Sequence, residues 1–187
     1  MPSIDLTPTP SFRLDGRRAL VTGAGRGIGL AAASALSDAG AQVTLAARTT
    51  GEIEEAAEAI RARGQSADAL TLDVTDVEAV RKALGAREPY QVLVNNAGMN
   101  RPKLLADVTV DDFDTIMGLN VRAAFFMAQT VGTRLTEAKL SGSIINISSQ
   151  MGHVGERHRS GGAGNAGQVV VLGHPVAPIA ERFDMPR

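Results

Sequence analysis

The chain has no cysteine and no tryptophan, and its 187 residues hold one tyrosine and five phenylalanines. Without cysteine there is no disulfide, no thiolate metal ligand and no cysteine nucleophile. An aromatic content of 3% leaves a core to be built from Ala, Val, Leu and Ile. An excess of one charge is also missing. The 19 Lys+Arg and 20 Asp+Glu give a net charge of −1, so nothing draws the chain electrostatically to nucleic acid or an anionic membrane. No apolar run approaches the roughly 18 residues of a membrane span. The opening MPSIDLTPTPSF has no basic segment leading into an apolar core, unlike a signal peptide. A small-molecule ligand and a cytoplasmic location are the expectations left. One domain is expected, burying roughly 70% of the surface that the unfolded chain exposes.

What the sequence does have is alternation. RALVT (18–22) is a short apolar run ending in glycines, followed by GIGLAAASALSDAG, a helix pattern closed by Gly40. AQVTLAAR (41–48) reads as a second strand. TGEIEEAAEAIRARG (50–64) reads as an amphipathic helix with acids early and arginines late, as the helix dipole prefers. ADALTLDV (67–74), DVEAVRKALG (76–85) and YQVLVNNAG (90–98) continue the series. A long helical stretch from Asp111 to about Ala138 leads into a fifth strand, GSIINIS (142–148). Near-continuous Val/Leu/Ile strands alternating with helices predict an α/β fold, a doubly wound parallel sheet covered on both faces.

Two segments stand outside this pattern. Residues 1–12, with Pro2, Pro8 and Pro10, read as an extended arm. After Met151 the composition changes: the remainder holds all three histidines, is rich in glycine, and contains no lysine or tyrosine. The only strong apolar run there is VVVL (169–172), a candidate strand. The expected organisation is an arm over 1–12, a nucleotide-binding domain over 13–155 and an irregular tail over 156–187.

The chemistry-bearing signal is VTGAGRGIG, which sets Gly23, Gly25, Gly27 and Gly29 between the first strand and the first helix. The strict G-x-G-x-x-G pattern fails, because positions 28 and 30 are Ile and Leu, but T-G-x-x-x-G-x-G is met. Glycines at a strand-to-helix turn allow close backbone approach, and the helix N-terminus offers unpaired N–H groups to a pyrophosphate. A tight turn that merely packs helix on strand is the structural alternative.

The ordered motifs TGAGRGIG (22–29), LDV (72–74), NNAG (95–98), LNV (119–121) and GSIINISS (142–149) together resemble those of the classical short-chain dehydrogenase/reductase family. They span most of the chain. The resemblance implies a Rossmann-type fold and a nicotinamide dinucleotide. It also implies hydride transfer between that dinucleotide and a small carbonyl or alcohol substrate. A looser likeness points to acyl-carrier-protein reductases and to sugar-alcohol or gluconate dehydrogenases. By the same resemblance Gly23, Gly25, Arg26, Gly27, Ile28 and Gly29 form the cofactor turn. Asp73 and Val74 hold the adenine, and Asn96, Ala97 and Gly98 pass over its ribose. Asp73 could equally be a helix N-cap or turn residue, and Asn95 and Asn96 ordinary turn residues.

Charge suggests which dinucleotide. In such folds an acid about 20 residues beyond the glycine turn binds the ribose 2′-OH, whereas an arginine accommodates a 2′-phosphate. Here Arg48 ends the second strand, with no acid until Glu52, and Arg26 is a second basic group. NADP(H) is therefore expected over NAD(H). Two solvated surface arginines would be the plain alternative.

For catalysis the resemblance assigns Ser149, with Ser148 as neighbour, to the serine that holds the substrate oxygen. It assigns Asn120 to the asparagine that anchors a relay water. The tyrosine that exchanges the proton, and the lysine four residues later that lowers its pKa, have no counterpart. The single tyrosine is Tyr90, the last lysine is Lys139, and no Y-x-x-x-K occurs. General acid-base help is worth about 10²–10⁴ in rate, so the 187 residues are expected to be inactive. One explanation is an incomplete or frameshifted chain, and another a nucleotide-binding protein without turnover. In a third, weaker one, His153, His158 or His174 supplies the acid. His153 and His158 lack metal-ligand spacing, so no metal is expected. Oligomeric state cannot be carried over.

Overall fold

The computed structural model describes residues 11–149. Its elements run β1 (Arg18–Thr22), α1 (Gly27–Asp38), β2 (Gln42–Ala47), α2 (Thr50–Arg61), β3 (Ala67–Thr71), α3 (Val77–Gly85), β4 (Val92–Asn95), α4 (Val110–Met117), α5 (Ala124–Glu137) and β5 (Ser143–Asn146). All strand pairs are parallel, in the order β3-β2-β1-β4-β5. The arm expected over 1–12 lies outside the described residues apart from Ser11 and Phe12. The tail, its histidines and VVVL lie wholly outside them.

Side-chain alternation along the strands divides the core in two. Ala19, Val21, Val43, Leu45, Val92 and Val94 face one way, onto Ala33 of α1 and Ile53, Ala57 and Ile60 of α2. Leu20, Ala46 and Leu93 face the other way, onto Val80 and Leu84 of α3 and Met127, Val131 and Leu135 of α5. Two opposite faces each covered by helices make the sheet doubly wound, as the apolar strand runs predict. Leu20, Leu45 and Leu93 are fully buried; truncating a leucine in such a place costs about 2–5 kcal/mol.

The strands are shorter than their apolar runs. Leu72–Val74 and Asn96–Gly98 leave the ladder at the carboxyl edge, where they become loops. The long helix expected from Asp111 to Ala138 is interrupted as well. Between α4 and α5 the backbone widens to a π-helical segment over Gly118–Ala123, with buried Asn120 inside it.

Tyr90 sits at the opposite, amino edge of the sheet and is 2% exposed. Its hydroxyl donates to Thr44 Oγ1 at 3.0 Å, and Thr44 Oγ1 donates to Asp68 Oδ1 at 2.6 Å. The Arg87 guanidinium bonds the other oxygen of Asp68. The single tyrosine is thus a member of a polar network that satisfies a buried threonine.

The segment between β4 and α4 is strapped to the helix by Asp112. Thr109 caps α4: its hydroxyl accepts from the Asp112 N–H at 3.1 Å, and the Asp112 carboxylate accepts from the Thr109 N–H at 3.1 Å, a reciprocal capping box. Lys103 and Arg101 bond the same carboxylate, whose side chain is 6% exposed. Lys103 chiefly, then Thr109 and Arg101, hold the Asp112 carboxyl well below the usual carboxylate range. A lowered folded-state pKa means that the unfolded chain binds more protons in the acid range. The contribution of Asp112 is therefore present above about pH 4 and is lost as pH falls through the lowered value. Urea midpoints recorded from pH 6 downward should fall more steeply below pH 4 for wild type than for Asp112→Asn. Parallel curves would show that the strap carries no pH dependence.

Candidate functional site

A cavity of about 310 Å³ opens at the carboxyl edge of β1, β2 and β4, where ligands bind in open parallel sheets. Its lining gathers Gly23, Gly25, Arg26, Asp73, Val74, Asn96, Ala97 and Gly98 from three separate motifs, together with Arg48 from the end of the second strand segment. Gly27, Ile28 and Gly29 are not part of that lining. Ile28 is 67% exposed.

The glycines of the turn have different physical reasons. Gly27 has φ +59° with open space where a Cβ would lie, so its backbone conformation is what excludes a side chain. At Gly29 a Cβ would fall 2.4 Å from Gly23 O and 2.5 Å from Asn96 Nδ2, so α1 packs too closely on the turn for any side chain. At Gly25 the neighbour is a side chain: a Cβ would lie 2.8 Å from Glu52 Oε2. The N-terminus of α1 has neither a capping side chain nor an acid in its first turn, which leaves N–H donors and a partial positive charge there.

Thr22 and Asn96 lock this turn in place. The Thr22 hydroxyl accepts the N–H groups of Asn96 and Ala97, each at 3.0 Å, and donates to Val94 O at 3.3 Å. In return Asn96 Nδ2 donates to Thr22 O at 3.0 Å and Gly23 O at 3.1 Å. Asn95 points the other way: its Nδ2 donates to Asn146 Oδ1 at 2.9 Å and Ala124 O at 3.1 Å. Asn96 thus ties the end of β4 to the glycine turn, and Asn95 ties it to β5 and α5.

Asp73 accepts from the Thr75 N–H at 2.9 Å and the Thr75 hydroxyl at 2.7 Å, and is a turn residue. The N-cap of α3 is Asp76, whose side chain accepts from the Ala79 N–H. These Thr75 bonds chiefly, helped by the positive charge of Arg48, lower the Asp73 pKa. Arg26 and Arg48 are both exposed at the cavity, and neither belongs to an ion pair among the described residues.

The candidate catalytic residues approach from β5 and the π-helical segment. Ser148 and Ser149 follow β5 at the same carboxyl edge, half-buried. Asn120 is 2% exposed. Its Oδ1 accepts from the Met99 N–H and its Nδ2 donates to Met99 O, both at 2.9 Å. That pair of bonds fixes the loop after Gly98, which itself lies against Asn120 Oδ1.

A family model described as short chain dehydrogenase matches residues 17–162. The chain belongs to the short-chain dehydrogenase family. It is 39% identical over 145 residues to a D-erythrulose reductase of Gallus gallus, an alignment covering 78% of this chain and 56% of that protein. With a gluconate 5-dehydrogenase of Gluconobacter oxydans strain 621H the identity is 40% over 142 residues, covering 74% and 55%. Among solved structures, a gluconate 5-dehydrogenase from Burkholderia cenocepacia J2315 in complex with NADP and tartrate matches with a TM-score of 0.76 at 36% identity. That match covers 83% of this chain and 63% of the other. The chain thus spans just over half the length of the curated relatives it matches. Among the described residues, no helix of this member of the family is long and apolar enough to cross a membrane.

Thr49, Glu52 and Leu119 also line the cavity; Thr49 and Glu52 lie outside the ordered motifs, and Leu119 opens LNV without a role assigned to it. For Thr49 and Glu52 a signal was present: the first turn of a helix that follows a parallel strand returns to the same edge of the sheet. Replacing Thr22 with Val keeps the shape but leaves two N–H groups of the clasp without their acceptor. Stability should fall by about 1–3 kcal/mol, seen as a lower urea midpoint at unchanged slope. A Thr22→Val chain as stable as wild type would show that the clasp contributes nothing.

Proposed function

We infer that this chain is the dinucleotide-binding part of an NADP(H)-dependent oxidoreductase that acts on a small carbonyl or alcohol substrate. The observation that carries the inference is the cavity wall. Arg26 and Arg48 reach it from two different loops, neither in a contact ion pair among the described residues, beside a glycine turn and an uncapped helix N-terminus. Those features fit a nicotinamide dinucleotide. The N–H groups at the start of α1, with Gly23 and Gly27, suit its diphosphate. Asp73, Val74 and the Asn96–Gly98 segment suit the adenosine, and the two arginines suit a 2′-phosphate. The NADP complex of the Burkholderia relative supports that preference.

When bound, the dinucleotide would supply the hydride. Ser149 is proposed to hold the substrate oxygen. Asn120, through Met99, is proposed to keep the loop beside it in position. Binding without turnover is the second reading, favoured by the lack of any Y-x-x-x-K in the 187 residues. That pair would otherwise exchange the substrate proton.

Fluorescence titration of the purified chain should show tighter binding of NADPH than of NADH. Arg48→Asp should weaken NADPH binding by about 10- to 100-fold and leave NADH little changed. Equal affinities in wild type, with no effect of the substitution on NADPH, would overturn the cofactor assignment. Carbonyl reduction by the same 187 residues should lie at least about 10²-fold below that of an ordinary reductase; turnover within tenfold of one would refute binding without turnover.

A further inference from the structure

We propose that Glu52 is a specificity residue of the cofactor cavity, a fixed negative charge that restrains the preference for a 2′-phosphate set by Arg26 and Arg48. This rests on the dinucleotide reading above and adds a determinant of opposite sign to it.

The helix α2 carries Glu52, Glu54 and Glu55 near its start, where acids favour the helix dipole. Of these, only Glu52 lines the cavity. Its carboxylate lies against the glycine turn, with Oε2 2.8 Å from the place a Gly25 Cβ would take. The missing side chain at position 25 therefore leaves the room that the carboxylate occupies. No lysine or arginine is ion-paired with Glu52 among the described residues, so its charge is not neutralised by a contact. The wall that holds two cations thus holds, besides Asp73, a second carboxylate, in the first turn of the helix that follows Arg48.

A dianionic 2′-phosphate is attracted by the arginines and repelled by Glu52, whereas a ribose 2′-hydroxyl is nearly indifferent to all three charges. Removing the carboxylate charge should widen the gap between the two kinds of ligand. Because the group is exposed, screening keeps the effect modest, about three- to tenfold at low ionic strength. The effect should shrink when salt shortens the Debye length below about 10 Å.

The test uses adenosine 2′,5′-bisphosphate and adenosine 5′-monophosphate, which differ only in the 2′-phosphate, as competitors or by calorimetry on the full chain. In Glu52→Gln, which keeps size and packing, the ratio of the two affinities should rise about three- to tenfold in favour of the bisphosphate at low salt. The rise should be smaller at high salt. Glu54→Gln should leave the ratio unchanged, which separates the effect from a general change in helix charge. An unchanged or reduced ratio in Glu52→Gln, or an equal rise in Glu54→Gln, overturns the proposal. Arg48→Asp decides the underlying reading separately: undiminished bisphosphate affinity there overturns the arginine assignment whatever Glu52→Gln does.

Discussion

The Thr22 hydroxyl and the Asn96 amide between them bond five backbone groups: the N–H groups of Asn96 and Ala97, and the carbonyls of Val94, Thr22 and Gly23. In a parallel sheet every strand ends in polar backbone groups that its own ladder cannot satisfy, and they cluster at the edge where ligands enter. Here the ends of β1 and β4 satisfy each other through two side chains. The clasp holds the glycine turn at a fixed distance from the Asn96–Gly98 segment. Gly29 lets α1 come down on top of both, since a side chain there would strike Gly23 O and Asn96 Nδ2. The cavity has its shape because these three positions have almost no freedom.

From Arg18 onward the sequence describes this scaffold well, because its two faces impose simple patterns. Strands β1 and β4 bury both sides, so they read as apolar runs, and α2 and α3 show an apolar stripe. The apolar run overshoots β3 at Leu72–Val74 for a physical reason. Residues that leave the ladder at the carboxyl edge are still packed, Leu72 and Val74 being buried, and burial rather than hydrogen bonding sets hydrophobicity. The interruption of the long helix at Gly118–Ala123 was less legible. Propensity gives no sign of a widened turn, which here goes with the pairing of Asn120 to a loop 21 residues earlier.

The site was legible in part. The arginines and the glycine turn are read from charge and backbone freedom, both local properties, and they meet at one cavity. The contact of Glu52 with the glycine turn is not local, since it depends on the first turn of α2 meeting Gly25. Thr22 opens the T-G-x-x-x-G-x-G pattern, but its role was not legible for a similar reason: it comes from two N–H groups 74 and 75 residues away. Tyr90 shows the converse. A lone tyrosine in a family that uses one catalytically invites attention, yet its bond to Thr44 places it at the far edge of the sheet.

The bond between Asn95 and Asn146 also fixes alignment. Strand β5 contributes four residues and, among the described residues, pairs only with β4. Sliding it by one position would turn its faces over and be rejected by the core. Sliding it by two would keep the same faces inward, and apolar packing would discriminate weakly. The side-chain amide pair at 2.9 Å exists in one alignment only. It therefore acts as an index mark on the strand, and sets how far Ser148 and Ser149 project beyond the edge of the sheet.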